Sequence, residues 1–251
     1  MFQVKLSQEH STLPVAELNA VIETCYPDEN VVLEFNENIV KITGLNDISE
    51  LKNRLAYAME IDGVELGQGF DARYSRNRPF SYPTTLDPKL ARCMVNLARP
   101  QTPNLKPPTP IFDPFCGTGG ILLEAGLMGF KTIGIDIDEK MIAGCKQNLE
   151  HYGVSGFDIS VEDFFKTKKQ GIIVTDPPYG KNTIVSGQTI EEFYNLILER
   201  LYKITTGISC IGSPNTINLS EMARNQGFKI LEEHIVFVNK DMSKRILVLE
   251  K

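Results

Sequence analysis

Asp113-Pro114-Phe115-Cys116-Gly117-Thr118-Gly119-Gly120 stands where a short apolar run over 110–113 hands over to a helical pattern over 119–128. Glycines at such a handover let the backbone approach a ligand closely and leave the helix N-terminus open. The next apolar run, 131–136, ends in Gly134-Ile135-Asp136-Ile137-Asp138 and places Asp136 19 positions after Gly117. An acidic residue at that offset accepts hydrogen bonds from the ribose hydroxyls of a nucleoside. Working outward, the patterning predicts further strands over 157–161, 171–175 and 207–212, and helices over 138–152 and 191–202. The second of these helices carries a Thr189/Glu192 capping box. This alternation implies an α/β fold with a doubly wound, Rossmann-like and largely parallel sheet. The tail departs from it: 230–238 and 245–250 are expected to pair as an antiparallel hairpin.

What the glycine loop lacks narrows the nucleoside. A dinucleotide site wants G-x-G-x-x-G, but Leu122 occupies the third glycine position counted from Gly117, and no G-K-[ST] phosphate loop is present. Asp113 opens the loop with an anion that repels pyrophosphate and suits the ammonium or sulfonium of S-adenosyl-L-methionine. After the third strand, Val161-Glu162-Asp163-Phe164 supplies another carboxylate at the expected position of the adenine amino group. The candidate cofactor residues are therefore Asp113, Cys116, Gly117, Thr118, Gly119, Gly120, Asp136, Ile137, Asp163 and Phe164.

The fourth strand ends in Thr175-Asp176-Pro177-Pro178-Tyr179-Gly180, on the same carboxyl edge. An exocyclic amino group on a purine is a poor nucleophile, because its lone pair is delocalised into the ring. Asp176 and the carbonyl of Pro177 can accept hydrogen bonds from that amine and aim its lone pair at a methyl group, while Pro177 and Pro178 fix the backbone that presents the carbonyl. Tyr179 offers a face on which an extruded base stacks, worth about 1–3 kcal/mol per base. Asp176, Pro177, Pro178 and Tyr179 are thus the candidate catalytic residues, working by position and electrostatics with no metal.

The chain has 251 residues, 26 Lys+Arg against 32 Asp+Glu, a net charge of −6, five scattered cysteines and no C-x-x-C pair. That composition argues against a zinc site, a disulfide framework and a general nucleic-acid coat. No apolar run reaches the roughly 18 residues of a membrane span, so a soluble, cytoplasmic protein is expected. Residues 1–66 read as strand, helix, hairpin (31–35 and 39–43), helix and strand, the βαββαβ order of a ferredoxin-like unit. Residues 67–82 read as an exposed basic linker, with Arg73, Arg76 and Arg78 in six positions. Residues 83–251 form the larger domain, which starts with a helix capped by Asp87.

Three segments carry a family resemblance: Arg78-Pro79-Phe80 through Leu97-Ala98, the loop from Asp113, and Asp176-Pro177-Pro178-Tyr179-Gly180. Together they resemble the class I S-adenosylmethionine-dependent tRNA guanine-N2 methyltransferases that modify the guanine at position ten. The N-terminal stretch from Val4 to Leu18 resembles the same family's ferredoxin-like segment. The resemblance implies methylation of the N2 amino group of a tRNA guanine, with Phe80 and Thr84 near the methionine part of the cofactor. Members usually carry a THUMP module that grips tRNA before the Arg-Pro-Phe motif, but only residues 61–77 fill that interval here. The tRNA is then expected to be held by Arg73, Arg76, Arg78 and Lys181, with help from Lys166, Lys168 and Lys169, or by a second subunit. The family's small zinc-ribbon activator would add to an edge strand at 157–161. Asp-Pro-Pro-Tyr alone leaves two alternatives open: another amine acceptor (adenine N6 of DNA or RNA, or a protein amide), or an idle RNA-binding subunit.

Overall fold

A computed structural model describes residues 1–83, 85–101, 109–180, 189–240 and 242–251. The N-terminal elements are β1 (Phe2–Leu6), α1 (Leu13–Cys25), β2 (Val32–Asn36), β3 (Ile39–Thr43), α2 (Ser49–Arg54), β4 (Ala58–Ile61) and β5 (Val64–Glu65). Their five strands form an antiparallel sheet in the order β2-β3-β1-β4-β5, the arrangement of a split βαβ unit with one added strand. The single strand expected over 61–66 is instead a hairpin, because Asp62-Gly63, both at positive φ, turns the chain between β4 and β5.

The rest comprises α3 (Phe70–Arg73), a 3-10 turn at Ser75–Asn77, α4 (Pro88–Leu97), β6 (Ile111–Asp113), α5 (Gly120–Leu127), β7 (Thr132–Asp136), α6 (Glu139–His151), β8 (Phe157–Val161), β9 (Ile172–Thr175), α7 (Ile190–Ile204), β10 (Ser209–Pro214), α8 (Leu219–Asn225), β11 (Lys229–Asn239) and β12 (Met242–Glu250). Their seven strands run in the order β11-β12-β10-β9-β6-β7-β8, with β10-β9-β6-β7-β8 parallel and the tail hairpin antiparallel. From β6 the order steps outward to β7 and β8, then returns to β9 on the opposite side. The carboxyl ends of β6 and β9 therefore flank the topological switch point, where open α/β sheets bind ligands. No helix among the described residues is long and apolar enough to cross a membrane.

The segment 67–82 is exposed along much of its length, as its composition implies, but Phe70, Arg73 and Arg78 anchor it. Arg73 and Arg78 are buried, and only Arg76, stacked over Tyr74, stays at the surface. Glu124 of α5 explains the burial of Arg73. It is fully buried and accepts from Arg73 Nε at 2.6 Å and Arg92 Nε at 2.9 Å, so one carboxylate joins the segment, α4 and α5. Phe70 lies against both guanidiniums. A second buried network ties α1 to the larger sheet's layer: Glu17 accepts from the backbone N–H groups of Ala56 and Tyr57 and from Asn96 Nδ2, and Asn96 Oδ1 accepts from Arg54 Nε. The apolar core is shared as well, since Leu13, Ala20, Ala56 and Tyr57 pack with residues of α4 and α5. Removing the shared anion strands two buried cations, so Glu124→Ala is expected to cost about 3–5 kcal/mol of stability. Urea unfolding of the variant checks this, and an unchanged midpoint would contradict it.

Candidate active site

The loop between β6 and α5 is bent by Gly117 (φ +49) and Gly119 (φ +83). A Cβ on Gly119 would meet Cys145 Sγ at 2.6 Å, so the loop also needs glycine there for close packing on α6. Asp136, at the end of β7, accepts from Gly117 N at 2.9 Å and from Asp138 N at 3.0 Å. Its carboxylate thus fixes the loop from the neighbouring strand, and burial raises its pKa. Beside it Ile137 is 73% exposed, an open apolar surface on the lip of the crevice. Asp163 accepts from Phe165 N and pairs with Lys166, and buried Phe164 stacks against Phe115 at 4.8 Å.

Two expected ligand contacts have other partners. The Cys116 thiol is buried in the cluster formed by Leu122, Ile142, Cys145 and Ile159. Phe80 lies against Gly144 of α6, where a Cβ would sit 2.2 Å from its ring. Asn148 of α6 holds that segment in place: its Oδ1 accepts from Phe80 N, and its Nδ2 donates to the carbonyls of Phe80 and Thr118. Thr84 and Lys181 lie outside the described residues. Arg73 and Arg78 are withdrawn as RNA contacts by their burial.

At the switch point Asp113 and Asp176 face one another across β6 and β9. Thr175 Oγ1 donates to Asp113 Oδ1 at 2.7 Å, and Phe115 N donates to the same oxygen. Burial pushes the Asp113 carboxyl up to about 7, opposed by these two hydrogen bonds and reinforced by Asp176 and Asp136. A cationic group beside Asp113 would restore the charged carboxylate, which is the electrostatic opening for a ligand carrying an ammonium or sulfonium.

Asp176 accepts from Tyr179 Oη through Oδ1 and from Lys244 Nζ at 2.6 Å through Oδ2. Lys244 also lies 4.9 Å from the centre of the Tyr179 ring. Tyr194 Oη donates to the Pro177 carbonyl at 3.3 Å. The carboxylate fits only because Gly212 of β10 is beside it, where a Cβ would stand 2.2 Å from Oδ1. Asp176, Pro177 and Tyr179 are therefore brought together as the motif implies. Lys244, Gly212, Tyr194 and Asn148 were missed. Lys244 alone left a trace in the sequence: it shares the period-2 face of Ile246 and Val248, an apolar phase where a lysine is out of place.

Residues 75–244 match the UPF0020 family, described as RMKL-like, methyltransferase domain. The chain is 35% identical over 226 residues to a tRNA (guanine(10)-N2)-dimethyltransferase of Methanothermobacter thermautotrophicus, covering 88% of this chain and 63% of that protein. A protein of the same name from Pyrococcus abyssi is 40% identical over 190 residues, covering 73% and 55%. This chain therefore spans a little over half the length of these relatives. Among solved structures, TrmN from Thermus thermophilus superposes with a TM-score of 0.56 at 18% identity, covering 89% of this chain and 60% of that one, a likeness of fold.

The raised Asp113 pKa makes stability depend on pH. The folded state keeps a proton that the unfolded chain releases near 3.8, so this contribution is complete below 3.8 and is lost as pH rises through about 7. Asp113→Asn keeps an oxygen for Thr175 and Phe115 and removes the charge. Its stability relative to the parent should grow from pH 5 to pH 8 by about 2–3 kcal/mol. Urea unfolding at the two pH values measures this, and a constant difference would refute it.

Proposed function

This chain belongs to the RMKL-like methyltransferase domain family, and from that premise we propose that it methylates the N2 amino group of guanine ten in tRNA, with S-adenosyl-L-methionine as donor. The observation that carries the reading is Asp176 at the switch point, with its carboxylate oriented by Tyr179 and Lys244 opposite Asp113. The names of the relatives from Methanothermobacter thermautotrophicus and Pyrococcus abyssi support the choice of guanine ten.

The residues present suit that donor. Asp113 provides a buried anion for the cationic arm, Asp136 a carboxylate at the ribose position, and Ile137 an exposed apolar surface for the adenine near Asp163, with buried Phe164 packed behind Asp163 against Phe115. When bound, the donor supplies a methyl group made electrophilic by the adjacent sulfonium. Asp176 accepts a hydrogen bond from the guanine amine, and the second lone pair of the Pro177 carbonyl takes another, so the nitrogen lone pair points along the line of attack. A carboxylate offers about four acceptor positions, which leaves room for the amine beside Tyr179 and Lys244. The amine loses its proton after transfer, and Asp176 is the acceptor within reach. A guanine paired in a stem must be flipped out to reach this crevice, and half-buried Tyr179 is the surface for it to stack on.

With Arg73 and Arg78 buried, the RNA contacts among the described residues fall to exposed Arg76, Lys166 and Lys168. That is a thin set for a polyanion and supports a second subunit. The activator reading places that subunit on β8, the outer strand of the seven-stranded sheet, where Val161 is exposed. The site in tRNA also supports a cytoplasmic location.

Transfer of labelled methyl to a tRNA transcript is the test. Label is expected in the parent transcript and absent when guanine ten is replaced; label that survives the replacement would refute the site. Asp176→Ala should lower turnover at least a hundredfold while donor affinity, followed by calorimetry, stays within about threefold. Equal loss of both would refute the role of Asp176.

A further inference from the structure

Arg78 is a buried charge beside the glycine loop. It is 5% exposed, and its Nε donates to the Arg73 carbonyl at 2.7 Å. Its terminal nitrogens Nη1 and Nη2, which hold four of the five guanidinium donors, have no hydrogen-bond partner among the described residues. The nearby carboxylate, Glu124, is already committed to Arg73 and Arg92. Three buried guanidiniums thus share one buried anion. Burial pulls the Arg78 pKa below its ordinary range, with Glu124 opposing and Arg73 reinforcing the shift.

The orphaned nitrogens converge on a second positive feature. Nη1 and Nη2 lie 3.3 and 3.8 Å from the point where a Cβ on Gly120 would stand. Gly120 is the first residue of α5, whose N-cap Gly119 has no side chain to cap it and whose first turn carries no acidic residue. Free N–H groups and the positive end of the helix therefore face the same place as the guanidinium. The hydroxyls of Thr85 and Thr118, 3.2 Å apart, border it. Because the nitrogens are shielded from water, an anion that reaches them does so where charge attraction is strong.

We propose that Arg78, with the N-terminus of α5, is the receptor for the α-carboxylate of an amino-acid group, presented by the methionine arm of the methyl donor. The assignment rests on the donor reading above and gives it a polarity: Arg78 and α5 take the carboxylate, and Asp113 takes the cationic side of the same arm. An amino-acid zwitterion matches both ends. A nucleotide phosphate matches only the first, since Asp113 and Asp136 border the loop between them. Arg78 is then a ligand-binding residue and no part of an RNA surface.

Calorimetric binding of S-adenosylmethionine and of its decarboxylated analogue, which keeps the sulfonium and the amine, tests this on the whole chain. The parent protein should bind S-adenosylmethionine at least tenfold more tightly than the analogue. Arg78→Met should erase that preference by weakening S-adenosylmethionine at least tenfold and the analogue less than twofold. Equal weakening of both ligands, or no weakening, would overturn the assignment and leave the donor reading intact. A parent that binds neither ligand would overturn the donor reading and this assignment with it. If Arg78→Met fails to fold by circular dichroism, Arg78→Lys carries the same comparison: it should narrow the preference at least threefold, and an unchanged preference would overturn the proposal.

Discussion

Glu124 sets the frame in which everything else is placed. A carboxylate with no access to water is tolerated only if its charge and lone pairs are answered, and here Arg73 and Arg92 answer them from two other parts of the chain. The segment after β5 is thereby drawn under α4 and α5 instead of leaving into solvent. Arg78-Pro79-Phe80 follows at once and packs against Gly120 and Gly144. Asn148 then joins Phe80 to Thr118 in the glycine loop. The N-terminal unit is held to the same layer through Glu17 and Asn96, so a mechanical path of buried polar contacts runs from it to the loop.

The chemistry of the crevice follows from strand order. The strand order reverses between the parallel neighbours β6 and β9, and the carboxylates at their carboxyl ends, Asp113 and Asp176, share the gap. Their surroundings separate them. Asp113 is buried with only a hydroxyl and one N–H to satisfy it, so its proton is held up to about neutral pH. Asp176 has the ammonium of Lys244 and the phenol of Tyr179. Two like side chains are thus given different surroundings by their neighbours, one buried against a hydroxyl and an N–H, the other held by an ammonium and a phenol.

Much of the architecture was legible beforehand. The period-2 and period-3.6 runs from Ile111 onward gave the doubly wound sheet and its tail hairpin to within three residues, because burial on both faces leaves near-continuous apolar strands, while the short α8 was not foreseen. Gly117, Gly119, Asp136 and Asp176 were legible because a tight turn, a spaced carboxylate and a strand-ending Asp-Pro-Pro-Tyr are local features. The arginines of the 67–82 segment misled for the converse reason. Three basic residues in six positions look solvated in one dimension, and the partner that buries Arg73, Glu124, lies 51 residues beyond it. Gly212 was out of reach for the same cause, and Lys244 showed only as a lysine in an apolar phase, since each acts on Asp176 from a strand distant in the chain.

The sequence by itself determined the order of strands and helices, the glycine loop and the positions of the carboxylates, because each depends on residues within a turn or two of one another. Only the tertiary structure decided which charges meet. Whether an arginine faces water or a buried glutamate, and whether an aspartate stands alone or against a lysine, depends on how separate segments pack. Electrostatic pairing falls off with distance in space and takes no account of distance along the chain.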